Sequence, residues 1–279
     1  HKAIRLIPGL KTGADFVLPA SAKRIEFSRN RNLMLLYFNN GWYPQCIELG
    51  NELTRISGTD RFARYYTFMA YSGLNRVPEA IEAIKRLLAI DPDLSFAHVS
   101  LGNLLLQNED FPGARRAFRK AIDLEPGRVS ALIGLSDAWL GLDDRDRALE
   151  ILERAVVVDP GNVPARIRLA TILAEDKGML DAALTHARKA KEIAPEDPYA
   201  MDALGWAYVR QGNLAKALPE LEKAANRLAM DPVVAYHLGV AHYLKQDLEK
   251  GRQALLRALR ISRHFPGAEE AIRLLQQEP

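Results

Sequence analysis

From Ser95 to Arg128 the chain reads SFAHVSLGNLLLQNEDFPGARRAFRKAIDLEPGR, with its apolar residues at the three-and-four spacing of two helices. The smallest residues of this stretch, Gly102, Ala114 and Ala121, stand where large core side chains would be expected. The next stretch, Val129 to Asn162, has the same length and sets Leu135, Ala148, Ala155 and Pro160 at the offsets of Leu101, Ala114, Ala121 and Pro126.

The pattern therefore repeats with a period of 34 residues. Seven units follow: 27–60, 61–94, 95–128, 129–162, 163–197, 198–231 and 232–265, the fifth carrying one extra residue near 176–181. Counted from the start of each unit, position 8 is Gly102, Gly205 and Gly239, with Ser136 and Ala170 in two others. Position 20 is Cys46, Ala80, Ala114, Ala148, Ala217 and Gly251, with Ala183 matching after the insertion, and position 27 is Ala121, Ala155, Ala224 and Ala258. Pro92, Pro126, Pro160 and Pro195 close the second helix, because proline cannot donate the next helical hydrogen bond. Pro44, Pro78 and Pro112 fall in the first turn of the second helix, where a missing N–H costs little. Pro219 lies a turn inside the second helix of the sixth unit and removes one backbone bond there.

These residues resemble the tetratricopeptide repeat family. The resemblance covers residues 27–265 and implies an all-α, right-handed superhelical α-solenoid of seven helix-turn-helix units. On that reading the small residues at positions 8 and 20 let paired helices approach, and the one at 27 lets the next repeat dock. A bulky side chain there would overpack the interface by about 1–3 kcal/mol. Residues 266–279 are expected to form a C-terminal capping helix around GAEEAIRLLQQ, and residues 1–26, with Pro8, Gly9, Gly13 and Pro19, an irregular lead-in.

Composition narrows the function. The formal net charge is +3 and hydrophobic residues make up 48% of 279, so nothing in the bulk calls for nucleic acid, and no nucleic-acid partner is expected. Cys46 is the one cysteine, which rules out an intrachain disulfide, and its small-residue slot makes it a packing residue. The compartment, cytoplasm or periplasm, stays open. No apolar run reaches the roughly 18 residues of a membrane span. The chain begins with His1, and residues 1–31 carry seven basic side chains against Asp15 and Glu26, so an upstream signal, lipid anchor or membrane helix is one expectation and a solvated tail another.

Catalytic and metal-ligating patterns are absent: there is no phosphate-binding glycine loop, nucleophile elbow, H-E-x-x-H or calcium loop. Asp143, Asp144 and Asp146 alternate with Arg145 and Arg147 as a self-neutralising turn, His98 and His242 sit at packing positions, and Glu269 and Glu270 read as solvated carboxylates. The chain is therefore expected to be neither an enzyme nor a cofactor or metal protein.

The family resemblance implies that first helices line a concave groove, with positions 2, 5, 9 and 12 facing it. The candidate protein-binding residues are Phe62, Tyr65 and Met69; Phe96, Val99 and Asn103; Ile133 and Leu140; Tyr199, Asp202 and Trp206; and Tyr236 and Tyr243. Of these, Tyr65 and Trp206 are expected to be the most open, as large aromatics suit anchoring roles. The carboxylate clamp of chaperone-binding members would need Lys and Asn where Leu35, Tyr66, Phe96 and Ser100 stand, so that use is disfavoured.

Three readings stay open. One is an adaptor holding a peptide or helix of a protein partner in the groove, within a bacterial assembly for secretion, pilus or exopolysaccharide export, a setting implied by resemblance alone. The second is a self-assembling homo-oligomeric scaffold. The third is the soluble part of a membrane-anchored protein. The N-terminal segment folding back into the groove is a further expectation.

Overall fold

The computed structural model describes residues 20–276, with side chains from residue 28 onward. The irregular lead-in lies outside the described residues as far as residue 19. Its last part does not hold, because the chain is already helical from Ala20. The described residues form helices joined by short turns and contain no strand. They form two compact bodies that divide between Leu104 and Leu105.

The first body holds α1 (Ala20–Asn39), α2 (Tyr43–Ile56), α3 (Arg61–Gly73), α4 (Val77–Leu88) and the start of α5 (Ser95–Gln107). Here α2 packs on α1 and α3, and α3 packs on α1 and α4. The second holds α6 (Phe111–Leu124), α7 (Val129–Gly141), α8 (Arg145–Val158), α9 (Val163–Ala174), α10 (Leu180–Ile193), α11 (Pro198–Arg210), α12 (Leu214–Arg227), α13 (Pro232–Leu244), α14 (Leu248–Ile261) and α15 (Ala268–Gln276). Each helix from α6 to α15 packs on its sequence neighbour, and α11 also packs on α9 and α13. This is helix-turn-helix packing with the expected period. The extra residue of the fifth repeat forms a short 3-10 turn at Lys177–Met179 before α10.

The helix starts follow from side chains able to satisfy the free N–H groups of the first turn. Asp60, Asn162, Asp197 and Asp231, each the last residue of a repeat, accept from the backbone of the helix that follows. Asp110, Asp144 and Asn213 do the same for second helices. Such a cap contributes about 1 kcal/mol. Asp144, in the turn read as self-neutralising, is thus a cap. Pro44, Pro78 and Pro112 stand in first turns, and α12 continues through Pro219.

The core explains the small residues. A Cβ on Gly205 would lie 2.6 Å from Leu221 Cγ, and one on Gly239 would lie 2.7 Å from Leu255 Cδ2. The glycine at position 8 therefore seats the leucine at position 24 of the same repeat, and both leucines are fully buried. At position 20 the approach is to backbone: a Cβ on Gly251 would lie 3.0 Å from Tyr243 N and 3.2 Å from Gly239 O. Cys46, Ala80, Ala114, Ala148, Ala183 and Ala217 have no exposed surface in the same slot. Burying each leucine contributes about 1.5–3 kcal/mol, which the close approach makes available.

Candidate functional site

The expected groove residues lie on the first helices, and the structure sorts them into two groups. In the first body Phe62, Tyr65 and Met69 of α3 are half-buried, and Phe96 of α5 is 37% exposed. Tyr65 meets Phe96 edge-on with 5.6 Å between ring centres. Phe62, Tyr66 and Phe38 continue the aromatic cluster inward, with ring centres 4.6 and 5.3 Å apart. Asp60, which caps α3, also accepts from Arg31 at 2.8 Å, and the Arg31 guanidinium lies 5.3 Å over the Phe62 ring. Asn103 is exposed, whereas Val99 is 9% exposed and belongs to the core. Leu36 and Trp42, half exposed beside this cluster in sequence, were not anticipated. Trp42 stands in the turn between α1 and α2, which the stripe rule for first helices does not reach.

In the second body Leu140 is 37% and Tyr199 48% exposed, while Ile133 is half-buried. Asp137 on α7 accepts from Nε and Nη2 of Arg168 on α9, at 2.7 and 2.9 Å, so part of this face is an interhelical ion pair.

Trp206, Tyr236 and Asp202 correct the expectation of an open aromatic groove. They are 2, 3 and 7% exposed. The Trp206 indole stacks on the His237 ring and donates from Nε1 to Glu175 at 2.8 Å. His237 Nδ1 lies 2.9 Å from both carboxylate oxygens of Asp202, and since a carboxylate only accepts, Nδ1 carries the proton. Tyr236 donates to Glu270 of α15 at 2.7 Å, so this carboxylate, exposed as the sequence suggested, also holds a buried hydroxyl. Burial and the Glu270 carboxylate both push the Tyr236 hydroxyl well above the usual tyrosine range.

The reason is α15. Its approach is permitted by Gly267, whose φ of 98° favours glycine and where a Cβ would lie 2.4 Å from Tyr236 Cε1. With α15 seated on α13 and α14, only a small cavity of about 250 Å³ remains there, bordered by Trp206, Tyr243, Glu270 and Leu274. Tyr243, half-buried, is the groove residue that lines it.

Reactive chemistry does not converge. Among the described residues no group of three His, Cys, Asp or Glu side chains could hold a metal ion, and no helix is long and apolar enough to cross a membrane. Burial pushes the Cys46 thiol up to about 11, and its Sγ faces Tyr66 O at 3.8 Å.

Comparison with known proteins agrees with this geometry. Two models described as tetratricopeptide repeat match residues 105–157, and 140–198 with 203–273. A tetratricopeptide repeat protein from Parabacteroides merdae is similar in structure, with a TM-score of 0.72 and 13% identity, over 90% of this chain and 97% of that one. The Cut9–Hcn1 complex of APC/C gives 0.70 and 17%, over 88% of this chain and 48% of that one. YrrB, a tetratricopeptide repeat protein with an unusual peptide-binding site, gives 0.53 and 23%, over 71% and 97%. These identities show the fold alone. Cellulose synthase operon protein C of Escherichia coli K12 is 40% identical over 67 residues, which are 24% of this chain and 6% of that protein's length.

Proposed function

The chain belongs to the tetratricopeptide repeat family, and we propose that it is a non-catalytic scaffold that receives a peptide or helix of a protein partner on its first helices. One observation carries this reading. In four of the seven repeats position 2 is aromatic or valine, as Phe62, Phe96, Tyr199 and Val233, and all four keep exposed surface although the next residue of each helix is buried. Exposed apolar side chains repeated at one register suit a partner that presents apolar residues at helical or extended spacing. Such aromatics also concentrate binding energy when desolvated. The peptide-binding site of YrrB supports a peptide-type partner, and the similarity to cellulose synthase operon protein C supports a setting in bacterial exopolysaccharide export.

The test is affinity capture from a lysate of the source organism with the wild type and with Phe96→Glu/Tyr199→Glu, read by mass spectrometry. Both side chains are exposed enough to change without breaking the core, and helical circular dichroism checks this. A partner held by the wild type and lost by the variant supports the reading. A partner held equally by both overturns it. Recovery of the chain's own copies alone favours a self-assembling scaffold.

A further inference from the structure

Away from the first-helix face, α6 and α8 form the walls of a cleft of about 1070 Å³, with α7 as its floor. Both walls are cationic. Arg115, Arg116, Arg119 and Lys120 line one, Arg147 and Arg154 the other, against the carboxylates of Asp123 and Glu150. Six cations thus face one cleft in a chain whose formal net charge is only +3. Arg147 is paired with Asp144, and Arg154 donates to Pro126 O. Among the described residues no ion pair joins Arg115, Arg116 or Arg119 to a carboxylate, and Arg116 and Arg119 are exposed. Arginines in excess of the carboxylates beside them raise the local potential and attract anions.

We propose that this cleft binds an acidic peptide segment of a partner protein, one rich in Asp and Glu. Five of the six cations are arginines, whose planar guanidinium takes a carboxylate with two parallel hydrogen bonds. The floor argues against other anions. Trp139 is 9% exposed, with the guanidiniums of Arg115 and Arg147 at 4.9 and 4.6 Å from its ring centre. It therefore offers no face on which a nucleic-acid base can stack. Ile122 and Leu135 are buried and Ile151 is half-buried, so the cleft presents no exposed aliphatic side chain to enter acyl chains, as a membrane-surface site requires. The chain's own N-terminal 31 residues are basic and have the wrong sign to fill the cleft. This site is independent of the first-helix reading and stands or falls separately.

The experiment is fluorescence anisotropy with the whole chain and a labelled peptide of about a dozen residues, Asp and Glu interspersed with glycine. The wild type should bind it, and affinity should fall about tenfold between about 50 and about 200 mM salt. Arg116→Glu/Arg119→Glu should weaken binding at least about tenfold, and the neutral Arg116→Gln/Arg119→Gln by less. The same charge change at Arg55 and Arg86, exposed in the first body, should leave affinity unchanged. No binding by the wild type overturns the proposal, as does equal loss in the Arg55/Arg86 control or no loss in a folded cleft variant. So does tighter binding of phosphatidylserine vesicles or single-stranded DNA than of the peptide.

Discussion

The indole of Trp206 lies nearly parallel to the imidazole of His237, with 4.1 Å between ring centres and 13° between planes. Asp202 and Glu175 hold the two rings from either side, at 2.9 and 2.8 Å. Trp206→Ala is expected to cost about 3–5 kcal/mol in urea unfolding, as for other buried aromatics. Asp202→Ala, which leaves a buried imidazole without its acceptor, should cost about 1–3 kcal/mol. The double variant Asp202→Ala/His237→Ala should cost less than the sum of the singles, since the pair acts as a unit. Additive costs would show that the two do not interact.

Gly239 and Gly251 mark the closest approach within the last helical pair. Gly239→Ala and Gly251→Ala should each destabilise by about 1–3 kcal/mol through overpacking. Gly127, in the turn before α7, meets only Val158 at 3.9 Å, and Gly127→Ala should be close to neutral. Chemical denaturation of the three variants makes the comparison, and equal effects would remove the packing explanation.

The turn inside most repeats places one residue in the left-handed region at position 15. That residue is Gly41, Asn75, Glu109, Asp143, Gly212 or Gln246. Glycine adopts this conformation without the strain a Cβ imposes. Glu109→Gly and Gln246→Gly should therefore raise stability, each by up to about 1 kcal/mol, read as a shift in denaturation midpoint at constant slope. A loss of stability in both would contradict the turn geometry.

Cys46 is fully buried, and its thiol is pushed up to about 11. A thiol reagent at neutral pH should label the native chain slowly, tracking the opening of the fold, and label the urea-unfolded chain at the rate of a free thiol. Rapid labelling of the native chain would place Cys46 at the surface.

Burial holds His242 below its ordinary value, with Lys245 and Lys250 adding to the effect and Asp247 and Glu222 opposing it. Burial lowers His186 in the same direction, with Arg166 adding to it. The folded chain then binds fewer protons than the unfolded chain once the pH drops below about 6.5, so stability falls from there through the lowered folded values. Above about 6.5 these histidines contribute no slope. The variant His186→Gln/His242→Gln should show a shallower fall in unfolding free energy between about pH 6.5 and 5 than the wild type. An identical slope would rule out these two groups as its source.

The helices, their period and their close contacts were legible because they are local or recur at a fixed spacing. The 34-residue spacing sets the units, the prolines bound the second helices, and Gly239 and Ala217 mark where helices touch. The exposure of the groove stripe was not legible in the same way. Helical spacing gives the direction of Trp206 and Tyr236 from their own axis, but not which later segment lies over them. For Trp206 it is His237 of α13, and for Tyr236 it is α15, reaching back through Gly267. The cationic cleft escaped the sequence for a related reason. Arg116 and Arg154 are separated by a whole first helix, and only the packing of α6, α7 and α8 brings their walls to one opening. The sequence by itself determined which segments are helices, where they begin and which residues must be small, because these follow from backbone hydrogen bonding and side-chain volume along one repeat. The tertiary structure alone decided which side chains meet solvent, because exposure depends on what packs over a side chain from another part of the chain.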